Sequence, residues 1–152
     1  MRVVIGIDPG ISGAIVKLDV DRNIVIEWAL MPVMKIGSAT RVNATELANL
    51  IRGYEPEHAF VEQVGARPGQ GVASMFNFGH NCGVVMGVIG ALEIPHTLVT
   101  PQKWKKAAGL IGTEKDASRT RAIQLWPGWK ILHKKTLGQA FADAALIARY
   151  GQ

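Results

Sequence analysis

Cysteine is almost absent from these 152 residues: Cys82 stands alone, so no internal disulfide can form and nothing calls for an oxidising compartment. Long apolar runs are missing too. The N-terminal segment reaches Asp8 before an apolar stretch of signal-peptide length can form, and Val84 to Leu92 is only nine residues, interrupted by Gly87 and Gly90. A membrane span needs about 20 such residues. These shortages point to an intracellular, cytoplasmic protein (the host cytoplasm for a viral chain) with no membrane partner. Aromatic residues are sparse at 7% and charged residues modest at 19%, while 48% of the chain is hydrophobic. That balance excludes disorder and fits a single globular domain spanning residues 1–152.

Acidic residues are outnumbered, twelve against seventeen Lys and Arg, for a net charge of +5. The excess is local. Residues 101–135 carry nine basic side chains and two acids, net +7, and the remainder is net −2. A basic third on a mildly acidic apolar scaffold leans toward a polyanionic partner.

Val3 to Ile7 is a continuous apolar run, as expected of a strand covered on both faces, and it ends at Asp8-Pro9-Gly10. Alternation from Ala14 to Val20, the turn Asp21-Arg22-Asn23, and renewed alternation at Ile24, Ile26 and Trp28 predict a hairpin with one buried face. Asn43 and Glu46 form a helix-start pattern before Leu47, Leu50 and Ile51, and Ala59-Phe60-Val61 is a buried strand ending at Glu62. Val72 to Leu92 reads as a long helix in which Gly79, Gly83 and Gly87 recur every four positions. This stripe fits either close packing on the chain's own sheet or self-association. A strand at His96 to Val99 precedes basic helical pieces at Gln102 to Ala108 and Lys115 to Trp126, and Thr136-Leu-Gly-Gln139 reads as a capping box opening a last helix through Tyr150. No repeat appears.

The predicted fold is α/β: a five-stranded mixed sheet, three antiparallel strands followed by two parallel ones, flanked by helices. A right-handed crossover lays the strand ending at Glu62 parallel to the first strand. Neighbouring strands lie about 5 Å apart, so Asp8 and Glu62 would meet at one sheet edge. Asp143 is a lone acid in the apolar segment Ala140 to Ile147. Each acid alone suits a structural role, Asp143 for example pairing with Arg149. Three acids ending core elements beside a basic lobe suit Mg²⁺ or Mn²⁺, which accept a few carboxylates and keep water and phosphate oxygens in their other positions. That is equipment for phosphodiester hydrolysis.

Gly6-Ile-Asp-Pro-Gly-Ile-Ser-Gly-Ala14, Val61-Glu-Gln-Val64, Thr100-Pro-Gln-Lys-Trp-Lys-Lys106, Gly112-Thr-Glu-Lys-Asp-Ala-Ser-Arg119 and Ala142-Asp-Ala-Ala-Leu-Ile-Ala148 follow in order along nearly the whole chain. In these stretches the sequence resembles the RuvC-type Holliday junction resolvases of the RNase H-like superfamily, particularly their compact bacteriophage members. The first stretch also resembles the opening hairpin of sugar kinases and actin-like ATPases, but those need two domains around a nucleotide, and no nucleotide cofactor is expected here. The resemblance implies a homodimer that binds four-way or branched DNA. It implies paired Mg²⁺-dependent nicks leaving 5′-phosphate and 3′-hydroxyl ends, with Mn²⁺ able to substitute. It places Asp8, Glu62 and Asp143 on the metals, Lys115 at the scissile phosphate, and part of the dimer interface on the long helix.

Two departures from the family pattern stand out. Its fourth carboxylate usually sits three or four residues before the helical acid, where this chain has Ala140 and Gln139. Two ions per site are expected, the second weaker, with Gln139, Asp116 or His133 as substitute ligands. The loop after Glu62 has Gly65, Ala66 and Arg67 where better-known members place an aromatic, which leaves Arg67 for phosphate and Phe76 or Phe78 for stacking. Lys103, Lys105, Lys106, Lys115 and Arg119 complete the expected DNA-contacting set, and Trp104, Trp126 and Trp129 are expected to anchor their helices. The alternatives are a non-catalytic junction-binding architectural protein and a nuclease acting on RNA or RNA-DNA hybrids.

Overall fold

A computed structural model describes every residue except Lys115. Its main sheet contains β1 (Val3–Ile7), β2 (Ala14–Asp19), β3 (Ile24–Leu30), β6 (His58–Glu62) and β7 (His96–Val99), in the order β3-β2-β1-β6-β7. The first three strands are antiparallel. β6 runs parallel to β1 and β7 parallel to β6. The mixed five-stranded sheet expected from the sequence is therefore the one observed.

Every residue of β1 is buried, because the strand is central and covered on both sides. Its side chains alternate between two cores. Val4 joins Phe60, Val99 and the apolar face of α5 (Lys135–Tyr150), whereas Ile5 and Ile7 join Ala59, Val61, α1 (Ala44–Tyr54) and α2 (Val72–Ala91). The predicted hairpin is present, but β2 is buried on both faces, including Ile15 and Asp19; only the edge strand β3 is substantially open. Asn43 caps α1 as expected, its Oδ1 accepting from the Glu46 N–H at 3.1 Å.

Three expectations change. The last helix begins at Lys135 with no side-chain cap, so Thr136 lies inside the first turn and Gln139 is free to serve elsewhere. α4 runs from Ala117 to Leu125, one residue short of the expected end at Trp126, and its expected start at Lys115 lies outside the described residues. A two-stranded hairpin, β4 (Val33–Ile36) with β5 (Ala39–Val42), fills a stretch whose sequence shows no clear alternation; Gly37, at φ +61°, turns its tip. The left-handed conformation there favours glycine.

The long helix also differs from expectation. Val85, Val88 and Ile89 are buried, and the buried Asn81 Oδ1 accepts from the Val42 N–H at 2.9 Å. Gly79, Gly83 and Gly87 all face outward, and a Cβ at any of them would meet nothing within 4 Å. Close packing of this stripe on the chain's own sheet is thus excluded. At 20 residues the helix is by length and composition apolar enough to cross a membrane, although its buried residues serve the core described above.

The tightest approach in the fold is α5 against β1. A Cβ on Gly6 would stand 2.0 Å from the Ala144 carbonyl oxygen and 2.6 Å from the Ala148 nitrogen. Ala142, Ala144, Ala145 and Ala148 are fully buried, so backbone lies on backbone. Gly6→Ala is expected to lower the unfolding free energy by about 2–3 kcal/mol, because neither neighbour is a side chain that can swing away. Chemical denaturation of the purified variant checks this.

Candidate metal and nucleic-acid site

The period-2 rule that separates the two cores also sorts the acids. Val4, Gly6 and Asp8 fall on one side of β1, and Phe60 and Glu62 on the same side of β6, facing α5. Ile7 pairs with Val61, so the next residues, Asp8 and Glu62, leave the sheet side by side. Asp143 precedes Ala144 on the helix pressed against Gly6. Three remote segments thereby deliver three carboxylates to one end of the sheet.

Each is held differently. The Asp8 backbone is locked by the Pro9–Gly13 turn, with Asp8 N–H donating to Ala14 O at 3.1 Å; a Cβ on Gly13 would lie 2.0 Å from Asp8 O. Glu62 Oε2 accepts from Trp104 Nε1 at 2.6 Å. Trp104 lies on α3 (Pro101–Ala107) and is fully buried, so it both anchors that helix and orients the carboxylate. Asp143 Oδ1 accepts from Ser118 Oγ at 2.7 Å and Gln139 Nε2 at 3.0 Å, and Gln139 Nε2 also bonds to Ser118 Oγ. Arg149, by contrast, goes to Asn23 Oδ1 at 3.0 Å. Sequence reasoning missed Ser118: a serine in a basic helix carries no signal that it is buried beside an acid.

The electrostatics are those of clustered, partly buried carboxylates. Burial, then Glu62, then Asp143 push the Asp8 carboxyl up from 3.8 to about 7, against a hydrogen bond from the Gly10 backbone. Burial also raises Glu62, opposed first by its Trp104 bond and more weakly by Lys105 and Arg67. Hard oxygen donors with excess negative charge fit a divalent cation such as Mg²⁺ or Mn²⁺. Among the described residues, no three Asp, Glu, His or Cys side chains lie close enough together to share one ion. The donors ring an open trough, an arrangement that leaves room for water and substrate oxygens.

That trough has two lobes. One, of about 660 Å³, is lined by Asp8, Ser12, Lys135, Ala140 and Asp143 among others. The second, of about 350 Å³, holds Glu62, Arg67, Trp104, Lys105, Ser118 and Asp143. Glu114, Gln139 and Asp143 line both. Ala140 brings no ligand to the first lobe, Gln139 is engaged with Asp143, and Asp116 at the rim is paired with Arg119 at 2.9 and 3.1 Å.

The expected DNA contacts scatter. Arg67 and Lys105 reach the trough. Lys103 Nζ donates to Gly151 O at 3.1 Å, and Arg119, besides holding Asp116, donates to Leu132 O at 3.1 Å. Lys106 is exposed outside both lobes. Lys115, expected at the scissile phosphate, lies outside the described residues. Phe76 is 66% exposed and Phe78 half-buried. Trp126 and Trp129 are buried as helix anchors, packed edge-on at 6.1 Å.

No protein-family model matches the chain, and no curated protein matches it in sequence. Solved structures do match in three dimensions. RuvC of Thermus thermophilus in complex with a Holliday junction substrate superposes with a TM-score of 0.68 at 16% identity, covering 98% of this chain and 92% of that one. The chain has the RNase H-like fold of RuvC. A second Thermus thermophilus RuvC structure gives 0.57 at 18% identity, over 98% and 92% of the two chains. The yeast mitochondrial Holliday junction resolvase Ydc2 gives 0.53 at 18% identity, over 97% of this chain and 76% of that one. These likenesses establish the resolvase-type fold. The bacteriophage character expected from the motifs has no counterpart in these bacterial and mitochondrial structures.

The raised Asp8 carboxyl has a consequence for stability. Between its ordinary 3.8 and about 7 the folded protein binds a proton that the unfolded chain has released. Stability of the metal-free protein is therefore expected to fall as pH rises through that window. Thermal unfolding in chelator across this range checks it: Asp8→Asn removes the carboxyl and flattens the slope.

Proposed function

We propose that the protein is a divalent-metal-dependent endonuclease that resolves Holliday junctions, and other branched DNA, by paired nicks leaving 5′-phosphate and 3′-hydroxyl ends. The observation that carries this reading is the delivery of Asp8, Glu62 and Asp143 to one trough of an RNase H-like sheet, with Asp8 raised to about 7 by burial and its two acidic neighbours. Fold likeness to resolvases, one of them seen with a Holliday junction, supports the substrate. The compact phage-like character rests on sequence motifs alone.

In this reading Asp8, Glu62 and Asp143 would divide Mg²⁺ ligation between them, no single ion taking all three, with Mn²⁺ able to substitute. When bound there, the metal would supply Lewis-acid activation of water and charge neutralisation at the scissile phosphate. The chain's own residues do the rest. Trp104 fixes Glu62, Ser118 and Gln139 fix Asp143, and Arg67 and Lys105 offer positive charge at the Glu62 end. With Ala140 contributing no donor, two ions bind unequally. Calorimetric titration with Mn²⁺ is expected to resolve one tighter and one weaker site; two equally tight sites contradict the assignment.

Incubating a synthetic immobile four-way junction with Mg²⁺ or Mn²⁺ tests the activity. The native chain is expected to nick opposite strands, and Asp8→Asn to lose at least about a hundredfold in rate while still binding. Tight binding without nicking under either ion would instead establish an architectural junction binder, and preference for an RNA-DNA hybrid would redirect the substrate.

A homodimer supplies the second active site, matching the approximate two-fold symmetry of a junction. The surface we assign to it is the outward glycine stripe of α2, bordered by the exposed Met75 and Phe76. Gly83→Leu separates assembly from folding. A Cβ there meets nothing within 4 Å and the position is exposed, so thermal stability at low concentration is expected to stay at or above wild type, while sedimentation is expected to shift from dimer toward monomer.

A further inference from the structure

The Asp8 lobe contains a cation that the proposed mechanism leaves unused. Lys135, in the first turn of α5, lines this lobe together with Asp8, Ser12 and Asp143. Residues 135, 139 and 143 are spaced four apart on the helix and so share a face; Gln139 and Asp143 are the two α5 residues common to both lobes. Lys135 thus stands two turns from Asp143 along the trough. On the other side of Asp143 the Glu62 lobe carries Arg67 and Lys105.

The Asp8 lobe sets Lys135 among Asp8, Glu114, Asp116 and Asp143, and the Glu62 lobe sets Arg67 and Lys105 among Glu62, Glu114 and Asp143, so cations stand on both sides of Asp143. An isolated anion needs only one of these ends. A polyanion with regularly spaced charges uses both, placing one phosphate at the carboxylate centre and flanking phosphates at the two ends. Asp116, which lines the same lobe and feels the Lys135 charge, is already held by Nε and Nη2 of Arg119, at 2.9 and 3.1 Å. Lys135 is exposed, as a group meeting an incoming phosphate must be. Ala140 leaves the floor beside it bare of a side chain that would fill the lobe.

We propose that Lys135 binds the backbone phosphate on the Asp8 side of the cleavage point, so that one DNA strand is gripped at both ends of the trough. This rests on the nuclease reading above and adds the path of the bound strand relative to the three carboxylates. Lys135 is a substrate-binding residue that contributes charge and position, with no base specificity.

The test measures binding of a fluorescent four-way junction in Ca²⁺, across a salt series, for wild type, Lys135→Gln, Lys135→Arg and a control, Lys130→Gln, from the same basic third but outside both lobes. Lys135→Gln is expected to weaken binding about five- to tenfold at low salt and to reduce the slope of log affinity against log salt by about one charge. Lys135→Arg restores both, and Lys130→Gln leaves both near wild type. Neutral methylphosphonates are placed singly on the 5′ and on the 3′ side of the cleavage point; one of the two is expected to erase the difference between wild type and Lys135→Gln, and erasure by neither overturns the assignment. Unchanged affinity and slope in Lys135→Gln, with wild type binding normally, overturn this assignment alone; failure of wild type to bind the junction overturns the nuclease reading with it.

Discussion

Backbone contact between α5 and β1 at Gly6 is the constraint on which the site depends. With no side chain at position 6, the helix descends until the Ala144 carbonyl occupies the space a Cβ would need. Ala142, Ala145 and Ala148 keep the rest of that face thin enough to follow. Asp143 is the neighbour of Ala144, and Asp8 lies two residues beyond Gly6 on the same face of the strand. A bulkier pair at this crossing would lift the helix and carry Asp143 away from the sheet edge. The apolar contact that stabilises the core and the polar contact that makes the site are thus set by one crossing.

Bringing those acids together is unfavourable in itself, since burial and mutual repulsion leave Asp8 near half-protonation at neutral pH. The fold offsets this with neutral donors: the Gly10 backbone for Asp8, the Trp104 indole for Glu62, and Ser118 with Gln139 for Asp143. None of these donors brings a positive charge. These donors orient the carboxylate oxygens. Arg67 and Lys105 line the Glu62 lobe and partly offset the burial of that carboxylate, and Lys135 lines the Asp8 lobe.

Much of this was legible before the structure. An apolar run ending in an acid marks a strand that carries a carboxylate to a sheet edge, and β1 with β6 does so twice. A lone acid among alanines marks Asp143. What could not be read were distances between elements that periodicity does not relate. Ser118 and Gln139 meet Asp143 only because α4 packs on α5, and Trp104 looks the same in sequence whether its indole N–H is idle or bonded to Glu62. The glycines of α2 read equally well as a packing seam or an outward face, because spacing identifies a stripe without saying what lies against it. Thr136 and Gln139 match a capping box, but the helix begins two residues earlier than that box requires and Gln139 turns to Asp143.

The central claim is that this carboxylate centre is completed by a divalent cation. Thermal unfolding with and without Mg²⁺, for wild type and Asp143→Asn, tests it without reference to catalysis. A ligand that binds only the folded state stabilises it, by about 2.7 kcal/mol at a hundredfold excess over its dissociation constant. The account predicts that Mg²⁺ raises the wild-type melting temperature by several degrees and leaves Asp143→Asn nearly unmoved. Equal shifts in both proteins, or none in the wild type at tens of millimolar Mg²⁺, would contradict it.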